Sequence, residues 1–338
     1  MKVWKLQAPK QLELQESPPT VLQKDFVKVK VEEVLLGTCD LDYYNGEIAQ
    51  NYPFVLGRSA AGVISEVFDK EKSIMQKLDR VVIDPFIPCN SCKECKAEEY
   101  NKCAELKYMG QNCDGLMQNF VDVHIDQVYH IPDNMSYEKA LFVPHVAFGL
   151  NIVDALTLEK GRHVTVFAST KMGVILAQLL SYYQAVPILV SPNEELLNIA
   201  RNLGIFYCVN NTQVDVEREV MTITGGRMCS ELVLFSDSDF SFDDVYNSAA
   251  KNANICLAGI AAKDSSLSLS QICQKHLSIF GVYNGVGNFS SAINLLVTGT
   301  VKVDKLTGTA VNFAELDTAI TEMDAADTAL HAKVVKVD

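Results

Sequence analysis

Four of the ten cysteines in this 338-residue chain fall within fifteen positions, in the stretch PCNSCKECKAEEYNKC at 88–103. Their spacing, C-x2-C-x2-C-x7-C, is short enough for one loop to wrap four thiolates around a tetrahedral zinc ion. The sequence has no apolar run of about eighteen residues and no signal-peptide pattern, so we expect a cytoplasmic protein. In a reducing cytosol, clustered cysteines bind metal more often than they form disulfides.

Three interpretations of this cluster remain open. The thiolates of Cys89, Cys92, Cys95 and Cys103 suit zinc, but soft thiolates also bind iron–sulfur clusters. The third interpretation, unliganded core cysteines, conflicts with the polar residues of KECKAEEYNK. We predict one structural zinc per chain at these four residues. Such a site has no open position for a water molecule, so it is expected to stabilise a lobe rather than to catalyse a reaction.

Composition excludes some classes of partner. The net charge is −13, and the sequence contains no block of Lys and Arg that would bind a phosphate backbone, so we expect neither a nucleic-acid nor a membrane partner. The chain is 48% apolar and 21% charged, which is enough to bury a full core, and its length suggests two domains. A small-molecule substrate or ligand is the partner that we expect.

The pattern of apolar residues changes once along the chain. Up to about residue 140, short alternating segments such as DFVKVKVEEVLL and DRVVIDPFI predict an antiparallel β domain that carries the cysteine loop as an insertion. From GRHVTVFAS onwards, apolar strands alternate with helical segments, which predicts a doubly wound parallel sheet. After SSAINLLVTGTV, the segment KVVKV predicts a last strand that returns to the first domain.

Several motifs together resemble those of the zinc-containing medium-chain dehydrogenases, the group of alcohol, sorbitol and threonine dehydrogenases. They are GTCDLD, PFVLGRSAAGVISEV, DRVVIDPFIPCNSCKEC, DGLMQNFVDV, HIPDNMSYEKAL, KHLSIFGVYNG and HAKVVKV. The resemblance implies an α/β protein with a GroES-like β domain at 1–145 and 285–338, and a Rossmann domain at 146–284. The cysteine loop, 88–104, would be the structural-zinc lobe. The resemblance also implies a homodimer or homotetramer, formed through the strand near HLSIFGVY.

A catalytic zinc needs three protein ligands and one open position for substrate. The resemblance implies that Cys39 in GTCDLD is the first ligand. At the second ligand, a His followed by Glu in the family, this sequence has Arg58 and Ser59. A guanidinium has no lone pair to donate and would repel the ion. We therefore predict that no metal binds tightly here, and that Arg58 lies against a carboxylate, with Asp42 or Asp84 the nearest by motif.

Two further elements of the family's catalytic site are changed. The position of the third metal ligand falls at Val143 or Pro144, and His145 replaces that ligand only if the turn shifts by one residue. The Ser or Thr that shuttles the alcohol proton in the family is Leu41 here. The candidate catalytic residues are therefore Cys39, Arg58, Ser59 and His145.

The nucleotide-binding turn is altered as well. A Rossmann turn uses three glycines, and VFASTKMG has Ala168, Thr170 and Gly173 at those positions. Only the last glycine is kept, although a helix N-terminus still attracts phosphate, and Lys171 offers an additional phosphate contact. Ser191 stands where an Asp would bind the ribose of NAD. The negative charges of Glu194 and Glu195 oppose the 2′-phosphate of NADP. NAD(H) and NADP(H) both remain possible cofactors, and the sequence supports each of them only weakly.

Three functional hypotheses follow. The first is an atypical NAD(P)-dependent oxidoreductase of the alcohol or polyol dehydrogenase type, with the structural zinc kept and the catalytic zinc lost. The second is a non-catalytic relative that binds a ligand or a protein partner. The third is a lyase or isomerase that uses a retained cofactor as a redox catalyst. Resemblance of fold cannot decide between them.

Overall fold

The computed structural model describes residues 1–68, 74–236, 240–259, 266–325 and 332–337. The chain forms two compact units. The first comprises Met1–Pro144, Phe289–Thr298 and Leu306–Asp338, and the second comprises His145–Asn288 and Gly299–Lys305. The sequence placed the return to the first domain at residue 285, whereas the segment Gly299–Lys305 lies with the second unit.

The strands of the described residues are numbered in chain order. They are β1 (Lys2–Ala8), β2 (Gln11–Glu16), β3 (Phe26–Leu36), β4 (Ala60–Val67), β5 (Arg80–Ile83), β6 (Phe86–Ile87), β7 (Lys107–Tyr108), β8 (Phe120–His124), β9 (Val128–His130), β10 (His163–Phe167), β11 (Val186–Ser191), β12 (Tyr207–Asn210), β13 (Cys229–Phe235), β14 (Ala249–Ala258), β15 (Ser278–Val282), β16 (Thr307–Asn312) and β17 (Ala332–Lys336).

Most helices follow or separate the strands of the second unit. They are α1 (Thr38–Asn45), α2 (Lys93–Lys96), α3 (Tyr137–Ala140), α4 (Val143–Ala155), α5 (Lys171–Tyr182), α6 (Glu194–Asn202), α7 (Val216–Thr224), α8 (Phe242–Ser248), α9 (Leu269–Lys275), α10 (Phe289–Val297) and α11 (Leu316–Ala325). Short 3-10 turns occur at Tyr100–Lys102, Ile125–Gln127 and Phe313–Glu315.

The first unit is built around β3. The sheet order is β16-β17-β3-β4-β5-β9, and β8 also pairs with β3. Val27, Val29 and Val31 of β3 are fully buried, because alternate side chains of a strand point to the same face. The last strand, β17, pairs antiparallel with β3, with Val334 opposite Leu35. The predicted β domain and the return of the last strand to it are confirmed, and all pairs of this sheet are antiparallel except β16–β17, which is parallel.

The second unit contains a six-stranded sheet in the order β12-β11-β10-β13-β14-β15. Every neighbouring pair is parallel. The central strands are apolar along their length, as expected when helices cover both faces of a parallel sheet. The strand order reverses between β10 and β13, and ligands of such sheets bind outside the carboxyl ends of the strands at that point. The predicted doubly wound sheet is confirmed.

Among the described residues, no helix combines the length and the apolar composition needed to cross a bilayer.

Gly62 provides a test of the first unit's packing. A Cβ atom at this position of β4 would lie 2.0 Å from the carbonyl oxygen of Lys30 on β3. Backbone atoms of a paired strand cannot move aside without breaking strand hydrogen bonds. Gly62→Ala should therefore lower the free energy of unfolding by at least about 2 kcal/mol. The strand glycine Gly281 is the matched control, because a Cβ there would contact only the Leu257 carbonyl oxygen, at 3.9 Å. Thermal melting should show a clear loss for Gly62→Ala and little change for Gly281→Ala; equal effects would contradict the packing described.

Candidate functional site

The four clustered cysteines have the geometry of a metal site. Their sulfur atoms all lie within 4.8 Å of one another. The Cys89 and Cys95 Sγ atoms are 3.9 Å apart, close to the roughly 3.8 Å that a tetrahedral zinc with bonds of about 2.3 Å requires. A disulfide would bring two sulfurs to about 2 Å. The geometry therefore fits a shared metal ion and not a disulfide.

Backbone N–H groups also point at these sulfur atoms. Cys92 N donates to Cys89 Sγ at 3.4 Å, Cys95 N donates to Cys92 Sγ at 3.4 Å, and Cys89 N donates to Cys103 Sγ at 3.5 Å. Cys92 is the N-cap of α2, and its sulfur is the acceptor of the cap hydrogen bond. Donors directed at sulfur stabilise the thiolate form that binds metal. The donor set and its surroundings fit a four-thiolate zinc site.

The carboxylate of Asp40 brings the candidate catalytic residues of the first unit together. Asp40 is buried; its Oδ2 accepts from Gly37 N at 2.9 Å, and its Oδ1 accepts from Gly57 N at 3.1 Å. One carboxylate thus joins the turn that enters α1 to the loop that enters β4. Cys39 lies in the first of these segments and Arg58 in the second.

Arg58 carries a positive charge next to Cys39. Burial alone would lower the pKa of Arg58, but the charges of Cys39, Tyr108 and Asp40 and a hydrogen bond with Cys39 outweigh it and raise the pKa well above its ordinary value. The guanidinium carbon lies 5.5 Å from the centre of the Tyr108 ring, in the range of a cation–π contact. The group is therefore a permanent cation.

The Asp40 carboxylate is one of the charges that raise the pKa of Arg58, and Asp42 as the partner of Arg58 stays a prediction. Asp40 is the third residue of α1, and capping the helix turns its carboxylate back towards Gly37 and Gly57. Asp84 has a different environment. It is buried, and burial raises its pKa to about 7 although the N–H of Phe86 donates to it at 3.0 Å.

The residues around Cys39 do not fit a catalytic metal. Within the described ranges, the four-cysteine cluster is the one group of three or more His, Cys, Asp or Glu whose ligand atoms lie together. Cys39 has a guanidinium for a neighbour where a second ligand would be needed. The hydroxyl of Ser59 donates to the Leu141 carbonyl oxygen at 2.5 Å. His145 lies near the start of α4, in the second unit, and its catalytic role stays a prediction.

The turn from β10 to α5 retains part of a dinucleotide site. A Cβ atom on Gly173 would lie 2.5 Å from the Cβ of Ala168, so glycine is required where the helix packs on the strand. Thr170 is the N-cap of α5, and its side chain makes no capping hydrogen bond to this helix. Thr170 and Lys171 are both buried. The turn fits the pyrophosphate of a dinucleotide through its backbone, as at other helix N-termini.

A carboxylate follows the end of β11, at the first residue of α6. Ser191 is fully buried, and its Oγ accepts from Asn193 N at 3.2 Å. The first residue of α6, Glu194, accepts hydrogen bonds from Asn210 Nδ2 at 2.8 Å and from Arg201 Nη1 at 2.7 Å. From the sequence, Glu194 was interpreted only as a charge that opposes NADP. Its hydrogen bonds to Arg201 and Asn210 are visible only in the folded chain.

Two family models match this chain. An alcohol dehydrogenase GroES-like domain matches residues 23–133, and a zinc-binding dehydrogenase domain matches residues 172–298. The chain belongs to the zinc-containing medium-chain dehydrogenase family. Its first unit therefore contains the family's GroES-like domain, and the parallel sheet of its second unit is the Rossmann-like domain. The predicted family and fold are confirmed.

Individual relatives cover nearly the whole chain. An uncharacterised zinc-type alcohol dehydrogenase-like protein of Haemophilus influenzae is 26% identical over 94% of this chain and 93% of its own length. The sorbitol dehydrogenase of Bacillus subtilis is 25% identical over 88% of this chain and 86% of its own length. An alcohol dehydrogenase structure from Escherichia coli CFT073, complexed with NADH, superposes with a TM-score of 0.88 at 23% identity and covers 99% of both chains.

Replacing Cys103 should remove the metal from the cysteine lobe. We expect one zinc per chain in the wild type and none in Cys103→Ser, because the loss of one thiolate opens the tetrahedral site. The variant should also be cut faster by protease within 88–104. Cys113→Ser is the control, since Cys113 is a half-buried cysteine of the same unit that lies outside the cluster. Zinc retained by Cys103→Ser, or absent from wild type purified without chelator, would contradict the assignment.

Proposed function

We propose that this protein is an NAD(H)- or NADP(H)-dependent oxidoreductase of the alcohol and polyol dehydrogenase type, with a structural zinc at the four cysteines and without a catalytic zinc. Family membership and the sorbitol dehydrogenase relative support the reaction class. The observation that carries the proposal of a lost catalytic zinc is the Arg58 guanidinium, which is held beside Cys39 where the family has a histidine ligand.

The nucleotide turn supports the choice of cofactor class. When bound, a nicotinamide dinucleotide would supply the hydride chemistry. The first-turn N–H groups of α5 would hold its pyrophosphate, with Gly173 allowing the helix to approach the strand. Lys171 and Thr170 stand at the start of that helix and are the side chains nearest to it in sequence. Ala168 packs under the turn, and its role and that of Ser191 in binding remain predictions.

We assign to Arg58 the role that a catalytic metal has in the family, which is to place a positive charge next to the substrate oxygen. A carbonyl that is reduced by hydride develops negative charge on its oxygen, and a fixed cation stabilises that charge. Arg58 keeps its proton at every working pH, so it would orient and polarise the oxygen without donating a proton. Cys39 would hold the guanidinium in place, and Ser59 would fix the loop through Leu141.

Location and assembly stay predictions. The strand β15 is the last in the order of the parallel sheet, and it corresponds to the HLSIFGVY segment that was expected to pair across a two-fold axis. An outer strand of this kind supports a homodimer or homotetramer. The cytoplasmic location rests on the sequence alone.

Cofactor titration tests the proposed function directly. NADH or NADPH should quench or shift fluorescence on binding and should raise the melting temperature, because a ligand at 100 times its Kd adds roughly 2.7 kcal/mol of stability. A panel of alcohols and polyols, followed by NAD(P)H absorbance, should then identify a substrate. ATP is the control ligand, since it lacks the nicotinamide half. If neither dinucleotide binds, the protein is not an oxidoreductase of this kind, and the non-catalytic hypothesis takes its place.

Metal analysis of Arg58 variants tests the loss of the catalytic zinc. Wild type and Cys39→Ser should both contain one zinc per chain, because only the cysteine lobe binds it. Arg58→His removes the cation and adds an imidazole beside Cys39, so it should acquire measurable affinity for a second zinc, whereas Arg58→Lys keeps the positive charge and should not. A second zinc in the wild type that Cys39→Ser removes would show that the family's catalytic metal is retained.

A further inference from the structure

Glu194 is held at the carboxyl end of the parallel sheet by two separate elements. Asn210, the last residue of β12, donates to its Oε2 at 2.8 Å, and Arg201, two turns along α6, donates to its Oε1 at 2.7 Å. Asn193 caps the helix by accepting from Glu195 N and Leu196 N. The carboxylate of Glu194 is therefore fixed in position beside the ends of β11 and β12.

This is the part of a doubly wound sheet where the adenosine ribose of a dinucleotide binds. In such folds an acidic residue near the end of the second strand accepts hydrogen bonds from the ribose hydroxyls. The second strand here is β11, which pairs with β10. It ends at Ser191, which has no charge, is fully buried, and uses its Oγ to accept from Asn193 N. The usual position therefore offers no carboxylate.

We propose that Glu194 binds the 2′- and 3′-hydroxyls of the adenosine ribose in place of the missing acid, and that it thereby selects NAD(H) over NADP(H). The inference rests on the proposed function, because it requires a dinucleotide at this sheet. Its ligand class is a nucleotide with a free ribose diol.

The hydrogen-bond capacity of Glu194 supports this role. An ionised carboxylate accepts at about four lone-pair positions, and Asn210 and Arg201 each occupy one. The side chain is 45% exposed, so the remaining positions reach solvent. The hydrogen bonds from Asn210 and Arg201 also lower the pKa of Glu194, which keeps it ionised at neutral pH. An acceptor without protons suits two hydroxyl donors and repels a 2′-phosphate.

Arg201 explains why the same cluster does not favour NADP(H). A 2′-phosphate needs a cation, and Arg201 is the arginine of this cluster. Its Nη1 donates to Glu194 and to Asn198 Oδ1 at 2.8 Å, and its Nη2 donates to the Cys208 carbonyl oxygen at 3.4 Å. Its charge is therefore paired with Glu194. Removing the Glu194 charge would release that cation.

The test measures Kd values for NADH and NADPH in three proteins: wild type, Glu194→Gln and Glu195→Gln. Glu195 lies in the same first turn of α6, so its substitution removes an equal charge from the same end of the helix. Wild type should prefer NADH. Glu194→Gln should weaken NADH by about tenfold, the effect of losing a hydrogen bond to a charged group, and should tighten NADPH. Glu195→Gln should leave the ratio of the two Kd values within about twofold of wild type, as a surface charge would.

Each other result overturns the inference in a recognisable way. If Glu194→Gln keeps the wild-type ratio while NADH still binds, Glu194 has no role in selection, but the proposed function stands. If Glu195→Gln shifts the ratio equally, the effect is one of general charge and not of a diol contact. A wild type that prefers NADPH also refutes the inference. If no dinucleotide binds to the wild type, both the inference and the proposed function fail. Each unliganded variant should still unfold in one cooperative transition, which shows that folding is intact.

Discussion

The pairing of β3 with β4 determines what the first unit can present beyond the ends of these strands. Val34 of β3 lies opposite Ala60 of β4, and Leu35 N donates to Ser59 O at 2.9 Å. The chain that leaves β3 and the chain that enters β4 are therefore neighbours, and the buried carboxylate of Asp40 hydrogen-bonds to both. This scaffold would hold a metal ligand on each segment. Here it holds a cysteine on one and an arginine on the other.

Much of the fold could be predicted from the sequence because burial leaves a periodic pattern. Alternating apolar residues in DFVKVKVEEVLL became β3, whose buried valines face the core of the first unit. The spacing of the four cysteines was also enough to predict the metal site, because a metal site within one loop depends only on residues that are close in sequence. These features need no knowledge of distant partners. The family comparison added the order of the domains.

The rest of the site depends on contacts between distant residues, which a pattern cannot supply. Asp42 and Asp84 were the predicted partners of Arg58, but the charge of Asp40 also acts on it, because Asp40 caps α1 and so turns towards Gly57, seventeen residues away. Glu194 shows the same limit. Its role depends on Asn210, sixteen residues further along the chain, and on the burial of Ser191. Neither fact is visible in the order of the residues.

The surroundings of Arg58 partly accommodate a buried cation. Taking a guanidinium out of water is costly unless nearby groups compensate it, and here Asp40, Cys39 and the Tyr108 ring all do so. Gly110 adds a steric argument. A Cβ at Gly110 would lie 2.6 Å from Cγ of Arg58 and 2.5 Å from the Gly57 carbonyl oxygen. Any larger residue would displace the arginine or its loop. The loop that carries Arg58 therefore depends on glycine at position 110.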